Sequence, residues 1–214
     1  MEDNIPRRRK IMMINAILLG CSDVGKTTLI HRHIDKEFSN PLPTLGSDFK
    51  IRSGKERDID YKIKFCDIAG QEKFRKFTEV FIKNKNCLVF VFDLTDLNSF
   101  LIIEDYYIKV IMELYGTLDL PMFLVGNKSD LEERRVKQED ILKLGEKYSM
   151  YYFETSCKDN LNVDDLFESI KMKTIDYLEK NGQFQEEQEK NQTIVIQRPQ
   201  VNAIQQRQGN ICSC

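Results

Sequence analysis

Gly20-Cys21-Ser22-Asp23-Val24-Gly25-Lys26-Thr27, with Thr28 behind it, is the stretch on which the reading of this chain turns. Its spacing is G-x-x-x-x-G-K-[ST], in which glycines let the backbone curl close to a polyanion and successive N–H groups point inward. A helix that starts directly afterwards adds its positive end. In this pattern Ser22, Asp23, Val24 and Gly25 line the loop, and Lys26 is a point charge for the β- and γ-phosphates. Thr27 offers a hydroxyl to Mg²⁺. The apolar run 11–19 leads in as a strand, and residues 28–36 read as a helix.

Arg7-Arg8-Arg9-Lys10 before the run and Leu18-Leu19-Gly20-Cys21 at its end have the outline of a lipoprotein signal. Cleavage before Cys21 would cut the loop in two, and Asn15 interrupts the apolar stretch, so no signal is expected. The 214 residues, 41% hydrophobic and 31% charged, fit one globular domain with tails. A net charge of −2 gives no reason to expect nucleic acid, and no segment has the length of a membrane-spanning helix. Six cysteines without a Cys-x-x-Cys pair, and only His31 and His33 beside them, argue against zinc and suit a reducing compartment.

Along the chain, 38–46 is a loop, 49–53 and 59–65 a hairpin turning at 54–57, and 73–83 a short helix. The apolar runs 87–93 and 122–126 read as buried parallel strands. Residues 98–115 form a helix with Phe100, Ile103, Tyr107, Val110 and Leu114 on one face; 138–148 is a helix, 151–155 a strand and 163–178 a helix. Strands alternating with helices imply βαβ units and a mostly parallel sheet, with ligands at the strand C-termini. Beyond 180 the chain is rich in Gln and reads as a flexible tail.

Further motifs fall at strand ends. In Asp67-Ile68-Ala69-Gly70-Gln71, an Asp can reach Mg²⁺ through a water, Gly70 N–H can meet a γ-phosphate, and Gln71 can orient an attacking water. In Asn127-Lys128-Ser129-Asp130, the Asp130 carboxylate can accept both N1–H and N2–H of guanine, a donor pair that adenine lacks. Ser156-Cys157-Lys158 can bring a backbone N–H to guanine O6, Thr44 offers a second hydroxyl to Mg²⁺, and Phe38 can lean on the base.

Together these residues resemble a small GTPase of the Ras superfamily, and most of all the Rab family, over about residues 10–180. Thr44-Leu45-Gly46-Ser47-Asp48-Phe49 is similar to the Rab sequence T-I-G-V-D-F. Residues 62–72 resemble K-L-Q-I-W-D-T-A-G-Q-E, and Phe92-Asp93-Leu94-Thr95-Asp96 also matches. Cys212-Ser213-Cys214 resembles the C-x-C that Rab proteins carry for double geranylgeranylation. The resemblance implies an α/β fold, a P-loop NTPase small G domain with a mostly parallel six-stranded sheet and helices on both faces. It divides the chain into an arm (1–9), a G domain (10–180) and a flexible tail (181–214).

The resemblance implies a GTP/GDP switch with Mg²⁺ that hydrolyses GTP, with Lys26 and Gln71 as the catalytic pair, and regulates vesicle traffic. It implies a monomer that cycles between cytosol and the cytoplasmic face of intracellular membranes. The implied partners are an exchange factor, a GTPase-activating protein, a GDP-dissociation inhibitor, a Rab escort protein and effectors. Departures are Asp23 at a position commonly Gly, Cys66 where Rabs usually have a Trp that effectors read, Phe81-Ile82-Lys83-Asn84 for Y-Y-R-G, and Pro41 and Pro43 in the mobile loop. Cys66 therefore carries the expectation of weak binding to partners that read an aromatic surface. Two readings compete: an ATP-using P-loop kinase, opposed by Asp130, and a non-hydrolysing interaction module, opposed by Gln71.

Overall fold

The computed structural model describes residues 10–38, 44, 46–70, 78–183 and 185–186. The expectations for the N-terminal arm, Pro41, Pro43, Gln71, Cys212 and Cys214, and for parts of 73–83 and 181–214, lie outside the described residues.

The central strand β1 (Lys10–Leu19) is apolar on both sides: Met12, Ile14, Ala16 and Leu18 enter one core, Ile17 and Leu19 the other. Side chains alternate across a strand, so a run without polar alternation must be covered on both faces. In the same way β4 (Cys87–Asp93) sends Cys87, Val89 and Val91 to the first core and Leu88, Phe90 and Phe92 to the second. The first face is covered by α1 (Lys26–Ile34) and α6 (Val163–Lys180), through Leu29, Ile30, Leu166 and Phe167. The second lies under α2 (Thr78–Ile82), α3 (Leu97–Ile102), α4 (Lys109–Tyr115) and α5 (Gln138–Lys147), which contribute Ile82, Phe100, Ile111 and Ile141.

With β2 (Ser47–Glu56), β3 (Ile59–Ile68), β5 (Met122–Asn127) and β6 (Tyr151–Glu154), the strand order is β2-β3-β1-β4-β5-β6. All neighbours are parallel except the β2–β3 hairpin, as the resemblance implies. A two-residue strand, β7 (Gln185–Glu186), comes from the segment assigned to the tail and pairs antiparallel with Lys10 and Ile11. The reason lies in register. β4 starts level with Ala16, which leaves the first half of β1 open on that side. β7 takes the first two residues, and Asn86 takes the next: its Nδ2 donates to Met13 O at 2.9 Å and its Oδ1 accepts from Asn15 N at 2.7 Å. Asn86 thus supplies backbone partners to the stretch of β1 between β7 and β4.

Three local expectations are corrected. The hairpin turns at Arg57 and Asp58, whose φ values of 47° and 66° make a tight two-residue turn of the primed kind, rather than at 54–57. Gly54 instead lies within β2, where a Cβ would come 2.5 Å from Tyr61 Oη; the glycine makes room for that ring. The helix expected over 98–115 is α3 and α4 joined by a π turn, Ile103–Ile108, whose wider spacing buries Tyr107 and Ile108 together. The loop helix α1 begins at Lys26, two residues before its expected start.

His33 ties α1 to both neighbours. Its ring stacks on Phe167 with centroids 4.2 Å apart. Arg52 of β2 can only donate, so His33 Nε2 accepts from it at 2.6 Å and Nδ1 donates to Asp164 Oδ1 at 2.9 Å. The ring is therefore neutral, and burial holds its pKa below the ordinary value.

Candidate functional site

Parallel strands end on the same edge, and here that edge carries Gly20, Asp67, Asp93, Asn127 and the Thr155–Ser156 segment. Two glycines of the loop are required by close approach. A Cβ on Gly20 would lie 2.1 Å from Val91 O, and one on Gly25, at φ 95°, would lie 2.3 Å from Asn127 Nδ2. Gly70 shows the same pressure from the far side, since its Cβ would meet Cys21 O at 2.3 Å. Val24 is buried, and Asp23, at φ 63°, is exposed. Ser22 and Thr28 are partly buried on either side of the turn into α1. Gly25 caps α1 without a side-chain bond, and the first turn holds no acidic residue, so its amide end favours an anion.

Lys26 is only 6% exposed, and its Nζ donates to Gly20 O at 3.1 Å and Cys21 O at 2.7 Å. Burial lowers its pKa, opposed by Asp67, Cys21 and Asp23. Asp67 is the mirror case: burial raises its pKa, against hydrogen bonds from Thr27 and Thr44 and the charge of Lys26. A buried cation and a buried anion are thus each held against their solvation preference.

Thr27 and Thr44 hydroxyls stand 3.0 Å apart, and both donate to Asp67 Oδ2, at 2.5 Å and 3.1 Å. Asp67 Oδ1 is buried with no hydrogen-bond partner. Two hydroxyls and a carboxylate with an unused oxygen form the hard, oxygen-only set that Mg²⁺ prefers. Neighbouring ligands of an octahedral Mg²⁺ lie about 2.9 Å apart, close to the hydroxyl spacing found here. The residues fit the ion.

The base-side motifs converge on Asn127, which is 2% exposed. Its Nδ2 donates to Val24 O at 2.8 Å, and its Oδ1 accepts from Thr155 Oγ1 at 3.1 Å and from Cys157 Sγ at 3.6 Å. Asp130 accepts from Ser156 Oγ at 2.7 Å and has Lys158 Nζ at 4.0 Å. Lys128, at φ 65°, reaches Asp93 Oδ2 at 2.7 Å, while Asp93 Oδ1 accepts from Thr95 N and Thr95 Oγ1. Burial pushes the Asp93 carboxyl up, but the bonds from Lys128 and Thr95 outweigh it and hold the pKa below the usual value. Phe38 is exposed.

The structure therefore brings Lys26, Thr27, Thr44, Asp67, Gly70, Asn127, Lys128, Asp130, Ser156 and Cys157 to one edge; Gln71 lies outside the described residues. Sequence reasoning missed Asp93 and Thr155 as parts of the site. An Asp closing the apolar run of β4 was the available signal for the first, since a buried carboxylate needs partners. Cys66 is 7% exposed and belongs to the second core, so it offers little contact area to a partner. The exposed apolar groups on that face of the hairpin are Phe49 and Ile51 of β2.

A loop of this spacing at the strand-end edge of a parallel sheet, with a second polar cluster beside it, is the arrangement of a P-loop domain of the small G type. The family model described as Ras family matches residues 15–176. Ras-related protein Rab-13 of Canis lupus familiaris is 36% identical over 160 residues, 74% of this chain and 78% of that protein. Ras-related protein Rab-2B of Dictyostelium discoideum is 35% identical over 167 residues, 77% and 82% of the two chains. Ras-related protein SEC4 of Candida albicans (strain WO-1) is 36% identical over 159 residues, 73% and 74%. The chain belongs to the Ras family, as a Rab small GTPase: a GTP-binding switch that hydrolyses GTP and serves vesicle trafficking. Among the described residues no helix is long and apolar enough to cross a membrane.

Proposed function

We propose that GTP lies across the strand ends, with its phosphates in the 20–28 loop and guanine between 127–130 and 156–158. The observation that carries this reading is the pair of buried opposite charges, Lys26 and Asp67, one needing an anion and the other a cation. The N–H groups of Ser22, Asp23, Val24, Gly25, Lys26, Thr27 and Thr28 cradle phosphate oxygens. Thr27 and Thr44, with Asp67 behind them, would hold Mg²⁺, which supplies charge neutralisation on the β- and γ-phosphates. Asp130 accepts N1–H and N2–H of guanine, the Cys157 N–H donates to O6, the Lys128 stem and Phe38 flank the ring, and Ser156 and Lys158 hold Asp130.

For hydrolysis, Gln71 orients a water in line with the γ-phosphorus, its Oε1 accepting a hydrogen bond from the water and its Nε2 donating to the water oxygen, and the water's protons leave on the inorganic phosphate. The new bond joins that oxygen to phosphorus, and the bond to the β–γ bridging oxygen breaks. Lys26 offsets the charge left on the β-phosphate, and Gly70 N–H meets the γ-phosphate while GTP persists. Single-turnover hydrolysis with and without chelator, on wild type and Gln71→Leu, tests this reading. Chelation is expected to speed nucleotide release, and Gln71→Leu to cut hydrolysis roughly 10²-fold at unchanged GTP affinity. A chelator-insensitive release rate would remove the metal site, and an unaltered mutant rate would remove Gln71.

The same reading extends to the membrane. The G domain spans 10–180, preceded by the arm 1–9 and followed by the tail 181–214, within which β7 draws Gln185 and Glu186 back to the sheet. Geranylgeranyl groups on Cys212 and Cys214 would hold the protein on the cytosolic face of intracellular membranes, because one chain alone anchors only marginally. An exchange factor, a GTPase-activating protein, a GDP-dissociation inhibitor, a Rab escort protein and effectors would govern the cycle. Either Cys212→Ser or Cys214→Ser should leave weak, reversible attachment and the double variant should be cytosolic on fractionation. A double variant that still pellets with membranes would refute the tether.

A further inference from the structure

Asn127 joins the base-side segments to the phosphate loop, and its grip depends on which end of its carboxamide faces the loop. Val24 O can only accept, so it requires Asn127 Nδ2. Thr155 Oγ1 tolerates either end, because a hydroxyl both donates and accepts. The third neighbour does discriminate. Cys157 Sγ, 3.6 Å from Asn127 Oδ1, carries a proton to give and is a weak acceptor. Turned the other way, the amide would set its NH₂ against the thiol and its oxygen against Val24 O.

We infer that Cys157 is a positioning residue for nucleotide retention: its thiol donates to Asn127 Oδ1 and, opposite Val24 O, holds the carboxamide in the orientation that clamps the loop. This rests on the reading of the strand-end edge as the guanine-nucleotide site. The thiol keeps its proton for the task, since burial pushes its pKa up to about 11. Cys157 is 5% exposed and packed in the first core, so its proton is directed inward rather than offered to solvent.

Packing alone is the competing role, and Cys157→Ala and Cys157→Ser separate the two. In the full-length protein loaded with a fluorescent GDP analogue, Cys157→Ala should release nucleotide roughly threefold faster, the weight of one weak hydrogen bond. Cys157→Ser, which restores a donor, should return to within twofold of wild type. The S–H stretching band, taken as the infrared difference between wild type and Cys157→Ala, should sit where a hydrogen-bonded thiol absorbs. Wild-type release by Cys157→Ala, a serine variant that behaves like alanine, or a free-thiol band would each overturn the inference. If wild type itself failed to prefer GDP over ADP, the nucleotide reading would fall and take this inference with it. If wild type binds GDP and only the variants are silent, the inference falls alone.

Discussion

At the strand-end edge Asn127 is 2% exposed and its side chain bonds three residues in two segments of the chain, whereas across the hairpin Phe49 and Ile51 are 54% and 57% exposed. The two regions share β3, which carries Asp67 at one end and Cys66 beside it. Buried polar groups tolerate few alternatives, because each orphaned donor or acceptor costs about 1–3 kcal/mol. Residue type and spacing at the nucleotide edge are thereby restricted, and a reader of the sequence can find them. Exposed apolar groups obey no such accounting, and their chemistry depends on what covers them.

The largest expected effect breaks the interlocked side of this contrast. Asn127→Ala strips Val24 O of its donor and leaves Thr155 Oγ1 and Cys157 Sγ without their acceptor. Two or three such losses correspond to roughly 10²-fold faster nucleotide release, even with partial compensation by water. Release of a fluorescent GDP analogue measures it, and a rate within a factor of two of wild type would show that the joint is not what retains nucleotide.

A smaller effect sharpens the hairpin side. Cys66 sits in the second core with Ile68, and its β2 partner in register is Phe49. Cys66→Trp therefore asks a packed interior to take a far larger ring, which costs about 1–3 kcal/mol of stability. Urea unfolding of the nucleotide-loaded protein should show that loss. An unchanged midpoint would mean that the indole escapes toward the exposed Phe49 side, and that the hairpin face adapts where the nucleotide edge does not.

The two regions also differed in legibility. The apolar runs of β1, β4 and β5 required cover on both faces, and that alone implied a parallel sheet between helices. The loop lysine, the two hydroxyls, Asp67 and the Asn127–Asp130 and Ser156–Lys158 motifs met where strand order put them. What was not legible depended on register or on packing between distant segments. The π turn at Ile103–Ile108 has no residue marker, and β7 pairs with Lys10 and Ile11 on the β1 edge that β4, starting level with Ala16, leaves open. Asp93 could not be tied to Lys128 until β4 and β5 were placed side by side. The interior position of Cys66 likewise follows from the second core, not from its neighbours in sequence.

Base selection by Asp130 tests the central claim most directly. Its carboxylate is held by Ser156 Oγ at 2.7 Å, and two acceptor oxygens match the two donors on guanine. Asparagine presents one acceptor and one donor, which match xanthine, whose C2 carbonyl replaces the amino group. Competition among GTP, XTP and ATP for wild type and Asp130→Asn should show wild type preferring GTP, and the variant moving its preference to XTP by on the order of 10² or more. An Asp130→Asn protein that still selects GTP as wild type does, or a wild type that takes ATP equally well, would contradict the account.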